Sequence, residues 1–345
     1  MKYNQLGDSD LRVSEICLGT MTYGQKNTRE DAAEQLDYAI ANGVNFIDTA
    51  EMYPVPGEAE TQGRTEEYIG EWLLKQPRDK LIVASKIIGP SPRLNWIRGE
   101  THRIDRANIE QAIDTSLKRL KTDYIDLYQI HWPDRYVPLF GAAPYDPAKE
   151  RDTVPIAQQL EAFGDLVKAG KIRYLGLSNE TPWGVSEFCH LAEKLNLPKV
   201  VSIQNAYNLT NRVFEIHLSE TCRFNNVGLL AYSPLGFGLL TGKYIDGIPQ
   251  NSRLALFQGF GRRYDKRNMP EAVKGYVEVA HRYGLSPAQM ALAFARSRWF
   301  VASTIIGATT LDQLRENLDS LKVTLDKEVL AAIDDIHAQY PNPTP

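Results

Sequence analysis

The sequence is poor in cysteine, with three in all: Cys17, Cys189 and Cys222. They lie far apart, are odd in number, and show neither metal-ligand spacing nor a disulfide framework. A reducing cytoplasm is therefore the expected compartment. No apolar run approaches the roughly 18–20 residues of a membrane helix, and Met1 to Asp10 lacks the apolar core of a signal peptide. No membrane is expected as a partner, and the glycosylation triplets at Asn179 and Asn208 carry no weight without a secretory signal. An excess of one charge is missing as well. Thirty-nine Lys and Arg stand against 43 Asp and Glu, a net charge of -4, so nothing calls for nucleic acid or an anionic surface. Histidine is scarce, at six.

What is present is alternation. A hydrophobic content of 43% and a charged content of 24% are ordinary for a globular protein. Short runs rich in Ile, Val and Leu recur at 15–18, 45–48, 81–85, 124–130, 172–177, 200–204, 229–233 and 304–307. Such runs suit strands covered on both faces. Amphipathic stretches lie between them at 28–40, 65–75, 108–120, 155–168, 182–195, 213–224 and 311–321. The first opens on Thr28 with acidic residues behind it, a helix start, and stops at Asn42-Gly43. Eight strand-helix units in 345 residues predict a (β/α)8 TIM barrel as one domain, 1–345. The segment around Gly7 to Asp10, with Leu6, Leu11 and Val13, predicts a β-hairpin plugging the barrel's bottom. Residues 326–337 predict an extra C-terminal helix.

Three connections exceed a simple turn: 87–107, 132–153 and 235–269. The second holds Trp132, Tyr136, Phe140 and Tyr145. The third is rich in glycine and basic, with Lys243, Arg253, Arg262, Arg263, Lys266 and Arg267 against Asp246 and Asp265. All three follow strands, so in a barrel they rise from the C-terminal face, where such barrels do their chemistry.

Polar residues end several strands. Asp48, Lys86 and His131 close strands two, three and four, and Tyr53 lies in the loop after strand two. Neighbouring strands are about 4.8 Å apart, so these side chains can converge. A tyrosine is a poor acid at neutral pH. A cationic lysine beside it favours the phenolate, an aspartate holds the lysine charged, and a histidine can hydrogen-bond a carbonyl oxygen about to be protonated. Each residue alone reads as readily as an ion-pair member, a core histidine or one tyrosine among 17. The joint pattern at consecutive strand ends carries the argument.

Gly19-Thr20-Met21, Asp48-Thr49-Ala50-Glu51-Met52-Tyr53, Ser85-Lys86, Gln129-Ile130-His131, Gly176-Leu177-Ser178-Asn179, Gln204-Asn205, Tyr232-Ser233-Pro234-Leu235 and Gly307-Ala308-Thr309-Thr310 stand in this order. The set resembles the aldo-keto reductases, and within them the bacterial Tas-like branch, related to potassium-channel β subunits. The resemblance covers about residues 6–321. It implies reduction of an aldehyde or ketone by NADPH, with Tyr53 as general acid, Lys86 and Asp48 tuning it, and His131 orienting the carbonyl. It places Gly19, Thr20, Met21 and Asp48 beside the cofactor, Ser178, Asn179 and Gln204 on its carboxamide, and Tyr232 against the nicotinamide. The stretch Ser233, Pro234, Leu235, Gly236, Phe237, Gly238, Leu239, Leu240, Thr241, Gly242 and Lys243, with Arg253, would cover the pyrophosphate. Gly307, Thr309, Gln313, Glu316 and Asn317 would hold the adenosine end. Gly307 and Gln313 stand where many members carry a basic residue and an arginine. The 2′-phosphate then falls to Thr309 with Lys243 or Arg253, which leaves NADH open. Met21, Tyr23, Trp96, Trp132 and Tyr136 are the expected substrate walls.

Other readings fit less well. Gly236 to Gly242 resembles a dinucleotide fingerprint, but its spacing is one residue too long and basic loop residues follow it. A metal-dependent hydrolase wants several histidines at strand ends, and only His131 lies at one. A cofactor-bound redox sensor of the channel β-subunit type shares the fold. A partner-binding extension would mark it, and no long segment precedes Leu6.

Overall fold

The computed structural model describes residues 1–99, 102–141, 144–250, 252–256 and 261–345, without the side chains of Arg253, Leu256 and Arg262. Two short strands, β1 (Tyr3–Gln5) and β2 (Arg12–Ser14), form an antiparallel hairpin. Eight more follow: β3 (Ile16–Gly19), β4 (Phe46–Asp48), β5 (Ile82–Ile87), β6 (Ile125–Ile130), β7 (Ile172–Ser178), β8 (Val200–Ala206), β9 (Gly228–Tyr232) and β10 (Val301–Ile306). They close a parallel barrel in the order β10-β3-β4-β5-β6-β7-β8-β9. The (β/α)8 expectation holds, and the eight strand runs all fall on barrel strands, although β10 begins at Val301 rather than Thr304.

Helices α1 (Arg29–Ala41), α2 (Arg64–Leu73), α3 (Arg106–Leu120), α4 (Ile156–Lys168), α5 (Pro182–Leu195) and α6 (Leu218–Asn225) each follow a barrel strand. Thr28 caps α1 in a reciprocal box with Asp31. The stretch 213–224 is not one helix. Arg212 grips Glu215 through Nε at 3.0 Å and Nη2 at 2.9 Å, Glu215 also receives the Tyr207 hydroxyl, and α6 starts only at Leu218.

Between β9 and β10 the chain forms a short helix α7 (Arg253–Leu256) within the basic connection, then two helices that the pattern above does not predict, α8 (Met269–Arg282) and α9 (Pro287–Arg296). In α9 almost every residue is buried, alanines included, so no amphipathic stripe marks it. Helix α10 (Leu311–Asp319) follows β10, and α11 (Lys327–Gln339) is the expected C-terminal helix, packed on α8. Among the described residues no helix is long and apolar enough to cross a membrane.

Strand alternation sets the interior. On β5, Ile82 and Ala84 belong to an apolar cluster inside the barrel, and Lys86 follows on the same face. Val83 and Ile87 face the helices. Leu6, Leu11 and Val13 of the hairpin join Cys17, Phe46, Ile82, Ala84, Leu127, Val201, Leu230, Ala302 and Ile305 in that interior cluster. The hairpin therefore plugs the barrel as predicted. Gly7 at its tip has φ +54°, and a Cβ there would stand 2.4 Å from the Val201 carbonyl oxygen, which is why glycine occupies the turn.

Candidate functional site

One period above the apolar layer, inward positions become polar. Asp48 lies opposite Ala84, and Lys86 opposite Gln129. Lys86 is fully buried. Its ammonium donates to Asp48 Oδ2 at 2.7 Å, to the Thr49 carbonyl at 2.7 Å and to the Tyr53 hydroxyl oxygen at 3.4 Å. All three of its N–H bonds thus have acceptors. The other Asp48 oxygen accepts from Gln204 Nε2 at 2.7 Å and Gln129 Nε2 at 3.2 Å. A charged pair withdrawn from water is tolerable only with this degree of satisfaction.

Tyr53 is held by the loop that carries it. Val55 N donates to the Met21 carbonyl at 2.9 Å, and Gly63 N to the Tyr53 carbonyl at 2.9 Å. The buried Glu51 accepts from Ile88 N at 2.7 Å and pairs with Arg98. The His131 ring meets the Tyr53 ring edge-on at 5.9 Å and packs on Trp132 at 4.9 Å. Its Nδ1 is buried without a protein partner.

The electrostatics follow from burial. Burial pushes the Tyr53 hydroxyl above its ordinary pKa, with Lys86 pulling against it. The lysine acts in the direction expected, but desolvation exceeds it here. For Lys86, burial pulls the ammonium down, while Asp48 and Tyr53 together hold it above its ordinary value. Burial first, then Lys86, push His131 well below the usual imidazole range, so the ring is neutral near pH 7. Burial pushes the Cys17 thiol well up, which leaves it inert.

Residues 15–338 match the sequence profile of the Aldo/keto reductase family. The chain belongs to that family. It is 50% identical to Protein tas of Escherichia coli K12 over the full length of both chains. It is 31% identical to the putative voltage-gated potassium channel subunit beta of Schizosaccharomyces pombe, over 96% of this chain and 92% of that one. It is 32% identical to the L-glyceraldehyde 3-phosphate reductase of E. coli K12, over 97% and 92%. Membership makes it an oxidoreductase acting on small carbonyl compounds.

The other residues expected to hold a cofactor lie at or after the C-terminal ends of the barrel strands. Gly19 lies opposite Asp48, and the buried Thr20 donates to the Asp48 carbonyl at 2.8 Å. Ser178 donates to the Gln204 carbonyl at 2.8 Å. Asn179, at φ 52°, turns its amide to the His131 carbonyl at 2.9 Å and accepts the Tyr232 hydroxyl at 2.7 Å. The Gln204 amide N–H groups are spent on Asp48 and on Gln129 Oε1 at 3.2 Å, not on the cleft. Ser233 at φ 54° leads from Pro234 and Leu235 into a 3-10 turn, Gly236–Thr241, with φ 63° at Phe237 and 92° at Gly238. Leu240 points into the core, so only its backbone faces outward chemistry. Lys243 is exposed. The Arg253 side chain lies outside the described residues.

At the far end, Asn317 donates to the Gly307 carbonyl at 3.2 Å, the Thr309 hydroxyl to Gln313 Oε1 at 3.2 Å, and Ser286 to Glu316 at 2.7 Å. Gly307 and Asn317 are thus paired, as are Thr309 and Gln313, while Glu316 is bonded outside the set. Among the expected substrate walls, Trp132 packs with Leu94, Ile97 and Met52, Trp96 is 37% exposed, and Tyr136 meets Tyr145 at 5.4 Å with the rings tilted by 44°. Tyr23 is a correction. It is fully buried, its hydroxyl bonding Gln35 of α1 at 3.2 Å, and it offers the cleft no surface. Gln129 was not among the candidates, although its place two residues before His131 puts it on the same inward face.

Proposed function

We propose that the protein reduces an aldehyde or ketone with NADPH, Tyr53 acting as general acid. The observation that carries this reading is Lys86 Nζ standing between Asp48 at 2.7 Å and the Tyr53 oxygen at 3.4 Å. Because the lysine donates to the phenol oxygen, the phenol's own hydrogen is free to be aimed at a substrate oxygen. Protonation of that oxygen leaves phenolate character on Tyr53, which the fixed ammonium stabilises without reorganisation. Asp48 keeps the ammonium charged and in place. Neutral His131 orients the carbonyl from the other side.

The residues present fit a nicotinamide dinucleotide. Asn179 and Tyr232 offer an amide and an aromatic ring beside Tyr53, and a loop with left-handed residues at 236–238 and 242 makes backbone N–H concavities of the kind that suit phosphates. When bound, the cofactor supplies the hydride. Met21, Trp96, Trp132 and Tyr136 would wall the substrate.

Oxidation of NADPH by 4-nitrobenzaldehyde tests the reading, with NADH in parallel. Tyr53→Phe should lower turnover by about 10²–10⁴-fold, the usual worth of a positioned proton donor, and leave NADPH binding intact. Loss of cofactor binding with unchanged turnover per bound cofactor would remove Tyr53 from the role. Tight cofactor binding without turnover of any carbonyl would favour a sensing function.

A further inference from the structure

We infer that the carbonyl substrate carries an oxyanion, a carboxylate or a phosphate, and that Arg263 receives it. The inference rests on the reductase reading above and adds a substrate class to it. Arg263 lies in a 3-10 turn, Arg262–Tyr264, of the β9–β10 connection. Its Nη1 donates to the Tyr232 hydroxyl at 3.1 Å. Tyr232 donates to Asn179 Oδ1 at 2.7 Å, and Asn179 to the His131 carbonyl at 2.9 Å. Three hydrogen bonds thus connect the guanidinium to the histidine beside Tyr53.

The opposite side of the arginine meets the other wall of the cleft. A Cβ on Gly141 would stand 3.0 Å from Arg263 Cγ, so the stem lies against the β6–α4 connection. The neighbouring Phe140 ring meets Trp132 edge-on at 6.4 Å, and Trp132 packs on His131 at 4.9 Å. Arg263 therefore spans from the aromatic wall to Tyr232, across the mouth above Tyr53 and His131.

Four arginines around this face pair with carboxylates, Arg98 with Glu51, Arg135 with Glu180, Arg119 with Glu66 at 2.7 Å and Arg103 with Asp134 at 3.3 Å, and Arg151 is held by the Asp134 carbonyl at 3.0 Å. Among the described residues no carboxylate pairs with Arg263, and its Nε is buried without a hydrogen-bond partner. Pro345 touches the same glycine but forms no ion pair with the arginine. A buried charged donor left unmatched is unfavourable. A carboxylate or phosphate entering the cleft would accept from Nε and an Nη together, the geometry for which the guanidinium fork is suited. The turn packs on the expected pyrophosphate cradle through Tyr264, which stacks on Phe237 at 5.9 Å, but the Arg263 side chain turns to Tyr232 and to Gly141 of the β6–α4 connection, so an anion it receives there lies on the side of the substrate walls.

Two pairs of aldehydes test this, each differing only in the charged group: 4-carboxybenzaldehyde against its methyl ester, and glyceraldehyde 3-phosphate against glyceraldehyde. Wild type should prefer the charged member of at least one pair, and the pair identifies the anion. Arg263→Gln should lower kcat/KM for that member by about 10–100-fold, leave the neutral one nearly unchanged and leave the NADPH dissociation constant alone. Arg263→Lys should restore part of the loss. Equal losses on charged and neutral aldehydes, or weakened NADPH binding without charge selectivity, would overturn the proposal. Calorimetry with terephthalate and glycerol 3-phosphate needs no turnover and separates this inference from the reductase reading. Binding by wild type that Arg263→Gln abolishes supports the site, and binding by neither protein overturns it.

Discussion

The two ends of the barrel are built from the same eight strands and have opposite interiors. At the N-terminal end the hairpin residues Leu6, Leu11 and Val13 fill the bore with apolar contacts. At the C-terminal end, one strand period higher, the bore holds Asp48, Lys86, Gln129, Gln204 and Ser178, all buried and tied by hydrogen bonds. The apolar end gains stability directly from area removed from water. A buried ion pair at best offsets its own desolvation. The polar end is thus where burial gives up stability, on the proposed reading in exchange for a proton donor, and the plugged end is what makes that tolerable.

Removing the cation gives the largest expected effect. Lys86→Met should cut turnover by about 10²–10⁴-fold and also destabilise the fold by about 3–5 kcal/mol, because Asp48 stays buried without its partner. Adding Asp48→Asn should recover much of the stability and none of the activity. Denaturant titration and initial rates measure both. If Lys86→Met alone were as stable as wild type, the pair would not be the strained element of this comparison.

At the other end, Leu11→Ala should cost about 2–5 kcal/mol, with kcat of the folded protein unchanged. A fall in kcat would mean that the plug also shapes the site. Gly7→Ala combines a left-handed φ with a 2.4 Å clash on the Val201 oxygen. It should cost about 1–3 kcal/mol, again read in denaturant and not in rate.

The smallest effect is in pH. The folded His131 pKa is depressed, by burial and then by Lys86. The unfolded imidazole, near 6.5, therefore takes up a proton first as pH falls. Its contribution to stability is complete above about pH 6.5 and is lost below it. Thermal melts between pH 7 and 5 should show a downward slope that His131→Gln reduces. Tyr53, raised above its ordinary value, should keep its proton through neutral pH, so a tyrosine-dependent rate stays flat there and falls only at strongly alkaline pH.

Much of this was legible in the chain itself. Strand period and run length located all eight barrel strands, and the polar residues ending three of them named side chains, Asp48, Lys86 and His131, that the structure gathers around Tyr53. Local pattern was less informative where packing is uniform. Helix α9 is buried nearly all round, so its period is hidden, and Tyr23 lies close to the Gly19-Thr20-Met21 turn in sequence yet inside the helix layer in space.

The sequence by itself determined the alternation of strand and helix, the inward parity of Asp48, Lys86 and His131, and the polar ends of the strands, because these depend on periods of two to four residues. Only the tertiary structure decided that Gln204 reaches Asp48 across 156 residues, that desolvation exceeds the pull of Lys86 on Tyr53, and that Arg263 meets Tyr232. Those outcomes depend on barrel closure, which sets distance and removes water at once, and no local pattern encodes either.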